Sequence, residues 1–174
     1  MKIPFKLFTF FVASIISLNC GLAMAQSNVE RKETMKDSPL NQLSITSQTA
    51  KKMALAAEDA ARKENFSIVV SIVDNNGNLK YFNRMDETSV GSIEVSQLKA
   101  LTSAKFPVSS KVLAERSAKL PGNPYSSIPG MLLLEGGLPI FNKAGKHIGG
   151  IGISGATPEL DAKFAQAGVD SFAE

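Results

Sequence analysis

Residues 147–161 read HIGGIGISGATPELD, and the parsing of this stretch decides the fold. Gly150, Gly152 and Gly155 spell G-x-G-x-x-G between an apolar run and a helix start, as in a dinucleotide-binding turn. Such a turn belongs to a strand-helix-strand unit with an acidic residue about 20 residues further on. After Gly155 the sequence has room for one helix and no second strand, and Glu159 and Asp161 in the first helical turn would repel a phosphate. The glycines are therefore expected to serve packing. Read as a strand, HIGGIGIS places His147, Gly149, Ile151 and Ile153 on one face and Ile148, Gly150, Gly152 and Ser154 on the other. Glycine weakens a strand, so two on one face imply that something approaches the backbone closely. The expected neighbour is the helix that follows, through Leu160 and Phe164.

That helix is well signalled. Thr157 is placed to cap it, Pro158 suits its first position, and Glu159 and Asp161 complement its dipole from solvated positions. Working back, FNKAGKH (141–147) repeats the pattern of VDNNGNL (73–79): an apolar residue, Asp or Asn, then Gly three residues on. Both read as hairpin turns. FSIVVSIVD enters the first hairpin as a buried strand and LKYFNRMD leaves it, while MLLLE and LPIF supply short strands before the second. Met53, Ala57, Ala60 and Ala61 share one face of a helix over Thr46–Asn65. SIEVSQLKALTSAKF and SKVLAERSAK are helical and are separated by Pro107, with a Pro/Gly/Ser loop after them. The order is helix, two strands, two helices, three strands, helix. An α+β fold follows, with a mainly antiparallel sheet of about five strands under helices; consecutive hairpins argue against a doubly wound parallel sheet.

The first 25 residues form a separate unit. Lys2 and Lys6, the apolar LFTFFVASIISL and the triplet Ala23-Met24-Ala25 compose a secretory leader with cleavage before Gln26. An exported protein, periplasmic or secreted, is expected, with no membrane attachment after cleavage. Residues 26–42 are polar and of mixed charge, a flexible arm, and the domain proper spans residues 43–174. Cys20 is the single cysteine and leaves with the leader. A thiolate nucleophile, zinc–thiolate site or thioether-linked haem is thereby excluded from the mature protein. Lys2 and Lys6 also carry two of the three net positive charges, so nothing points to nucleic acid as a partner.

No catalytic constellation emerges. GISGA does not satisfy G-x-S-x-G, and His147, the only histidine, cannot build a multi-histidine metal site. His147 follows Gly145 in a turn and is expected to face water.

VVSIVDNNGNLKYFNRMD, KALTSAKF and EGGLPIFNKAGKHIGGIGISGATPELDAKFAQAGVDSF, in this order, resemble the GlcG/HbpS-type haem-binding family, also called the haem-degrading domain family and similar to the C-terminal domain of PduO proteins. The resemblance spans about residues 43–173. It implies a profilin-like three-layer α/β/α fold, homo-oligomers and, in some members, binding of haem or a related tetrapyrrole. The cofactor-binding positions it marks are Arg84, Met85, Lys99, Thr102, Gly136, Gly137 and Pro139, with Lys99 the first candidate and Arg84 the second for a haem propionate. His147, Tyr81, Tyr125, Met85 and Met131 are the side chains open to consideration as iron ligands. Two alternatives stand beside haem binding: a carboxylate-binding sensor or carrier or a protein-interaction scaffold, and a haem-degrading enzyme.

Overall fold

The computed structural model describes residues 44–173; the expected leader (1–25) and arm (26–42) lie outside the described residues. Helix α1, Ser47–Lys63, begins where Thr46 Oγ1 accepts the Thr49 N–H at 3.1 Å. Strands β1 (Val69–Asp74) and β2 (Leu79–Arg84) form the first hairpin, followed by α2 (Gly91–Lys105) and α3 (Ser110–Ala118). A single 3-10 turn at Pro124–Ser127 interrupts the next loop. The second hairpin is β3 (Gly137–Phe141) and β4 (His147–Ser154), and α4 (Pro158–Ala173) follows.

The two hairpin turns share a device, as their sequences suggest. Asp74 Oδ1 accepts the Asn76 and Asn78 amides, both at 2.9 Å. Asn142 Oδ1 accepts those of Ala144 (3.0 Å) and Lys146 (2.9 Å). The short acceptor side chain organises the turn in each case. The hairpins join through β1 and β4 into one antiparallel sheet of order β2-β1-β4-β3.

Among the described residues four strands form, not the five expected. MLLLE stays irregular because its backbone is claimed by side chains: the Leu132 amide by Thr102 Oγ1 and the Leu134 carbonyl by the Ser110 hydroxyl.

Helices cover both faces. On one, Val70 and Ile72 of β1 and Ile151 and Ile153 of β4 pack with Met53 and Ala57 of α1 and Phe164 of α4 in a fully buried apolar cluster. On the other, Ser71, Val73, Gly150 and Gly152 face α2, and the Ser71 and Ser96 hydroxyls lie 2.8 Å apart. The expected alternation along β4 fails at Ile148. Ile140 pairs with Gly149 while Phe141 pairs with His147, so Ile148 is an extra residue and turns into the apolar cluster.

Gly150 and Gly152 do admit a close neighbour, but it is α2 and not the helix that follows. A Cβ on Gly152 would collide with the Ser96 carbonyl and the Ala100 amide nitrogen; one on Gly150 would collide with the Ala100 carbonyl. Leu160 and Phe164 belong to the opposite face.

Candidate functional site

The glycine-lined sheet lets α2 lie so close that its inner face accommodates only small side chains: Ser92, Ser96, Ala100, Ser103 and Ala104. Lys99 is the exception, and it is 1% exposed. Its Nζ donates to Asp161 Oδ2 at 2.7 Å and to the Ile153 carbonyl at 2.9 Å. Asp161 Oδ1 accepts the Ala156 amide at 3.0 Å. A buried pair linking α2, the end of β4 and the first turn of α4 results. Burial pushes the Asp161 carboxyl above its ordinary value, against the pull of Lys99 and the Ala156 amide.

Two expectations are corrected here. Asp161 is not a solvated helix-cap residue, because its carboxylate is enclosed with its cation. Lys99 offers no ammonium to a propionate, because that ammonium is already shared between a carboxylate and a carbonyl.

Gly136 and Gly137 are placed by the same pair. Gly136 has φ +121°, and a Cβ there would lie 2.6 Å from Lys99 Nζ and 2.9 Å from Asp161 Cβ, so both conformation and space demand glycine. A Cβ on Gly137 would collide with the Lys99 carbonyl, and the Gly137 N–H donates to Ser110 Oγ at 2.9 Å. Pro139 sits opposite Gly150 on the edge strand, where a residue without an N–H is tolerated. Thr102, buried on α2, donates to the Leu98 carbonyl (2.8 Å) and accepts the Leu132 amide (2.9 Å). It thereby pins the loop before β3 against the helix. Half-buried Ile128, Met131, Leu132 and Leu133 line this loop, and Tyr125 packs on Phe106 with ring centroids 6.2 Å apart. Lys99, Thr102, Gly136, Gly137 and Pro139 are thus brought together.

Arg84 and Met85 are not. They lie at the same end of the sheet but on the β2 edge, three strand spacings away from β3, or about 14 Å. The exposed Arg84 donates to Thr88 Oγ1 (Nε, 3.0 Å) and to the Thr88 carbonyl (Nη2, 2.6 Å). Met85 packs on the apolar cluster, its sulfur accepting the Ile68 amide at 3.4 Å.

His147 does not simply face water. Its ring meets Phe141 edge-on at 5.5 Å, and its Nε2 is shielded with no hydrogen-bond partner among the described residues. Tyr81 lies on the α1 side, where burial and then the charge of Glu58 raise its pKa and keep the phenol neutral. Among the described residues no group of three or more His, Cys, Asp or Glu could hold a metal ion. Sequence reasoning missed the roles of Asp161 and Ser110; the only local signal for Asp161 was an acidic residue in a first helical turn.

The family model described as "Haem degrading protein HbpS-like" matches residues 45–170. An uncharacterised 15.0 kDa protein from the dhaT–dhaS intergenic region of Citrobacter freundii is 35% identical over 75% of this chain and 93% of its own length. Protein GlcG of Escherichia coli K12 is 30% identical over 63% and 81%. Among solved structures, a double mutant of HbpS from Streptomyces reticuli superposes with a TM-score of 0.69 at 36% identity, covering 73% of this chain and 86% of that one. A PduOC–haem complex superposes at 0.66 with 27% identity, covering 74% and 94%. The match spans the two hairpins, all four helices and the Lys99–Gly136–Asp161 centre between them: this chain belongs to the HbpS-like haem-degrading protein family.

Proposed function

We propose that this protein is an exported haem-binding protein. The observation that carries the reading is similarity to the PduOC–haem complex along nearly the whole of that chain, within a family named for haem. The residues present fit such a group. Haem brings four nitrogen ligands of its own, so its protein needs an apolar wall, a cation for the propionates and at most two axial donors rather than a cluster of metal ligands. The loop pinned by Thr102 supplies the wall, with Met131 and Tyr125 on it. Ser110 ties Gly137 to that loop, accepting the Gly137 amide and donating to the Leu134 carbonyl, and the exposed Lys105 brings its ammonium beside Gly130 of the same loop; Arg84 and Met85, on the opposite edge of the sheet, lie outside this wall. Bound haem would supply a redox-active iron; the chain's own work is to hold the macrocycle's flat face away from water.

Titrating the full chain with haemin tests this reading. A saturable Soret shift is expected, and an unshifted spectrum at haemin excess would overturn haem binding in favour of a carboxylate carrier or scaffold. The family description raises a second reading, haem turnover. Progressive loss of the Soret band after adding ascorbate would support it; a stable reduced spectrum would support binding alone.

The export part of the proposal rests on residues 1–25. The intact mass of the exported protein is expected to begin at Gln26, and a mass retaining the leader would contradict it.

A further inference from the structure

The loop between α3 and β3 is tied down by hydroxyl groups. Ser117 Oγ accepts the Tyr125 amide at 3.0 Å, Thr102 Oγ1 accepts the Leu132 amide at 2.9 Å, and the Ser110 hydroxyl donates to the Leu134 carbonyl at 2.7 Å. Within the loop, Asn123 takes the left-handed conformation with φ +48°. Its carbonyl accepts both the Ser126 amide at 3.1 Å and the Ser126 hydroxyl at 2.6 Å. Tyr125 rides on this closed turn. Its amide is held by Ser117 and its half-buried ring packs on Phe106, yet its hydroxyl has no hydrogen-bond partner among the described residues. Backbone and ring are fixed while the oxygen is left for an incoming group.

Resting on the haem reading, we infer that Tyr125 ligates the haem iron axially through its phenolate oxygen. The other candidate side chains are occupied or remote. Met85 lies on the opposite sheet edge, its sulfur accepting the Ile68 amide. Tyr81 packs on the apolar cluster of the α1 side. His147 pairs with Phe141 at the far end of β3, about 13 Å along the strand from Gly137, where the loop joins the sheet, and its Nε2 is shielded. Met131 shares the loop, but it offers a soft thioether, whereas haemin carries ferric iron, a hard acid that takes an anionic oxygen. Ligation breaks the Tyr125 O–H bond, forms the iron–oxygen bond and releases the proton to water, with no change of oxidation state. The surrounding charge favours both the phenolate and the propionates. Lys105 stands beside Gly130, and Arg116 and Lys119 flank Ser117; all three are exposed, and none has an ion-pair partner among the described residues.

The test is absorption and resonance Raman spectroscopy of the full chain with haemin, for the parent, Tyr125→Phe and Met131→Leu, with circular dichroism confirming that each is folded. Phenylalanine removes only the hydroxyl and keeps the ring on Phe106. The parent is expected to show a phenolate-to-iron charge-transfer band and phenolate vibrations enhanced on excitation within it. Tyr125→Phe should lose both and show a displaced Soret maximum, whereas Met131→Leu should keep all three features of the parent. A parent with a Soret shift but no phenolate signature, or a Tyr125→Phe variant that retains the signature, would overturn tyrosine ligation and leave haem binding standing. A parent lacking the signature whose spectrum changes in Met131→Leu would give the iron to Met131 instead. No Soret shift in the parent would overturn the haem reading, and tyrosine ligation with it.

Discussion

Lys99→Met should lower the unfolding free energy by about 3–5 kcal/mol at neutral pH, the usual cost of leaving one member of a buried ion pair alone. Methionine fills most of the lysine volume, so the loss comes from Asp161, which keeps the Ala156 amide but no longer faces the ammonium at 2.7 Å. The double variant Lys99→Met/Asp161→Asn should recover most of the loss, since a neutral amide can still accept from Ala156 and no charge remains buried. The pH dependence has a definite sign. Asp161 already has a raised pKa through burial, and removing the cation raises it further. An acid whose folded pKa exceeds its unfolded value costs stability as pH rises between the two. The deficit of Lys99→Met should therefore shrink as the solution is acidified. Urea midpoints across pH, at constant m, measure this. A deficit independent of pH, or a double variant no better than the single, would assign the loss to packing instead.

Gly152→Val should be at least as damaging. Its Cβ would meet two backbone atoms of α2, the Ser96 carbonyl oxygen and the Ala100 nitrogen, with Ala100 Cα at 3.1 Å, and backbone cannot swing aside as a side chain can. Overpacking commonly costs about 1–3 kcal/mol, and a collision with helix backbone belongs at or above the top of that range. Gly91→Ala is the control: its Cβ meets only Ser89 Oγ at 3.6 Å at the start of α2. Ligand-free thermal unfolding should show a large drop for Gly152→Val and little change for Gly91→Ala. Equal midpoints would mean that α2 does not seat on β4 as described.

The parts of this fold legible in sequence are those encoded locally. Thr46 caps α1, the Thr157 hydroxyl accepts the Leu160 amide at the start of α4, and Asp74 and Asn142 build matching turns because each device acts over three or four residues. What escaped was set across distance. Lys99 and Asp161 are 62 residues apart, and nothing near either indicates that both are buried. The seating of α2 was hidden for a related reason. A sheet face lined with Gly137, Gly150 and Gly152 selects serine and alanine on the helix above it, which inverts the apolar pattern by which a buried face is normally recognised. The run MLLLE has strand composition but gives its backbone to Thr102 and Ser110, residues on two preceding helices. Of the candidate positions, the resemblance marked the right neighbourhood around Gly136 and Gly137, whereas the chemistry of Lys99 depended on a partner the sequence could not name.

The haem reading and the reassignment of Lys99 meet in one measurement: haemin titration, followed at the Soret band, of the parent and of folded Lys99→Met/Asp161→Asn. If haem binds outside the buried pair, both proteins show the same saturable shift with the same midpoint. No shift in the parent would contradict haem binding, and a shift lost from the folded double variant would return Lys99 to the ligand.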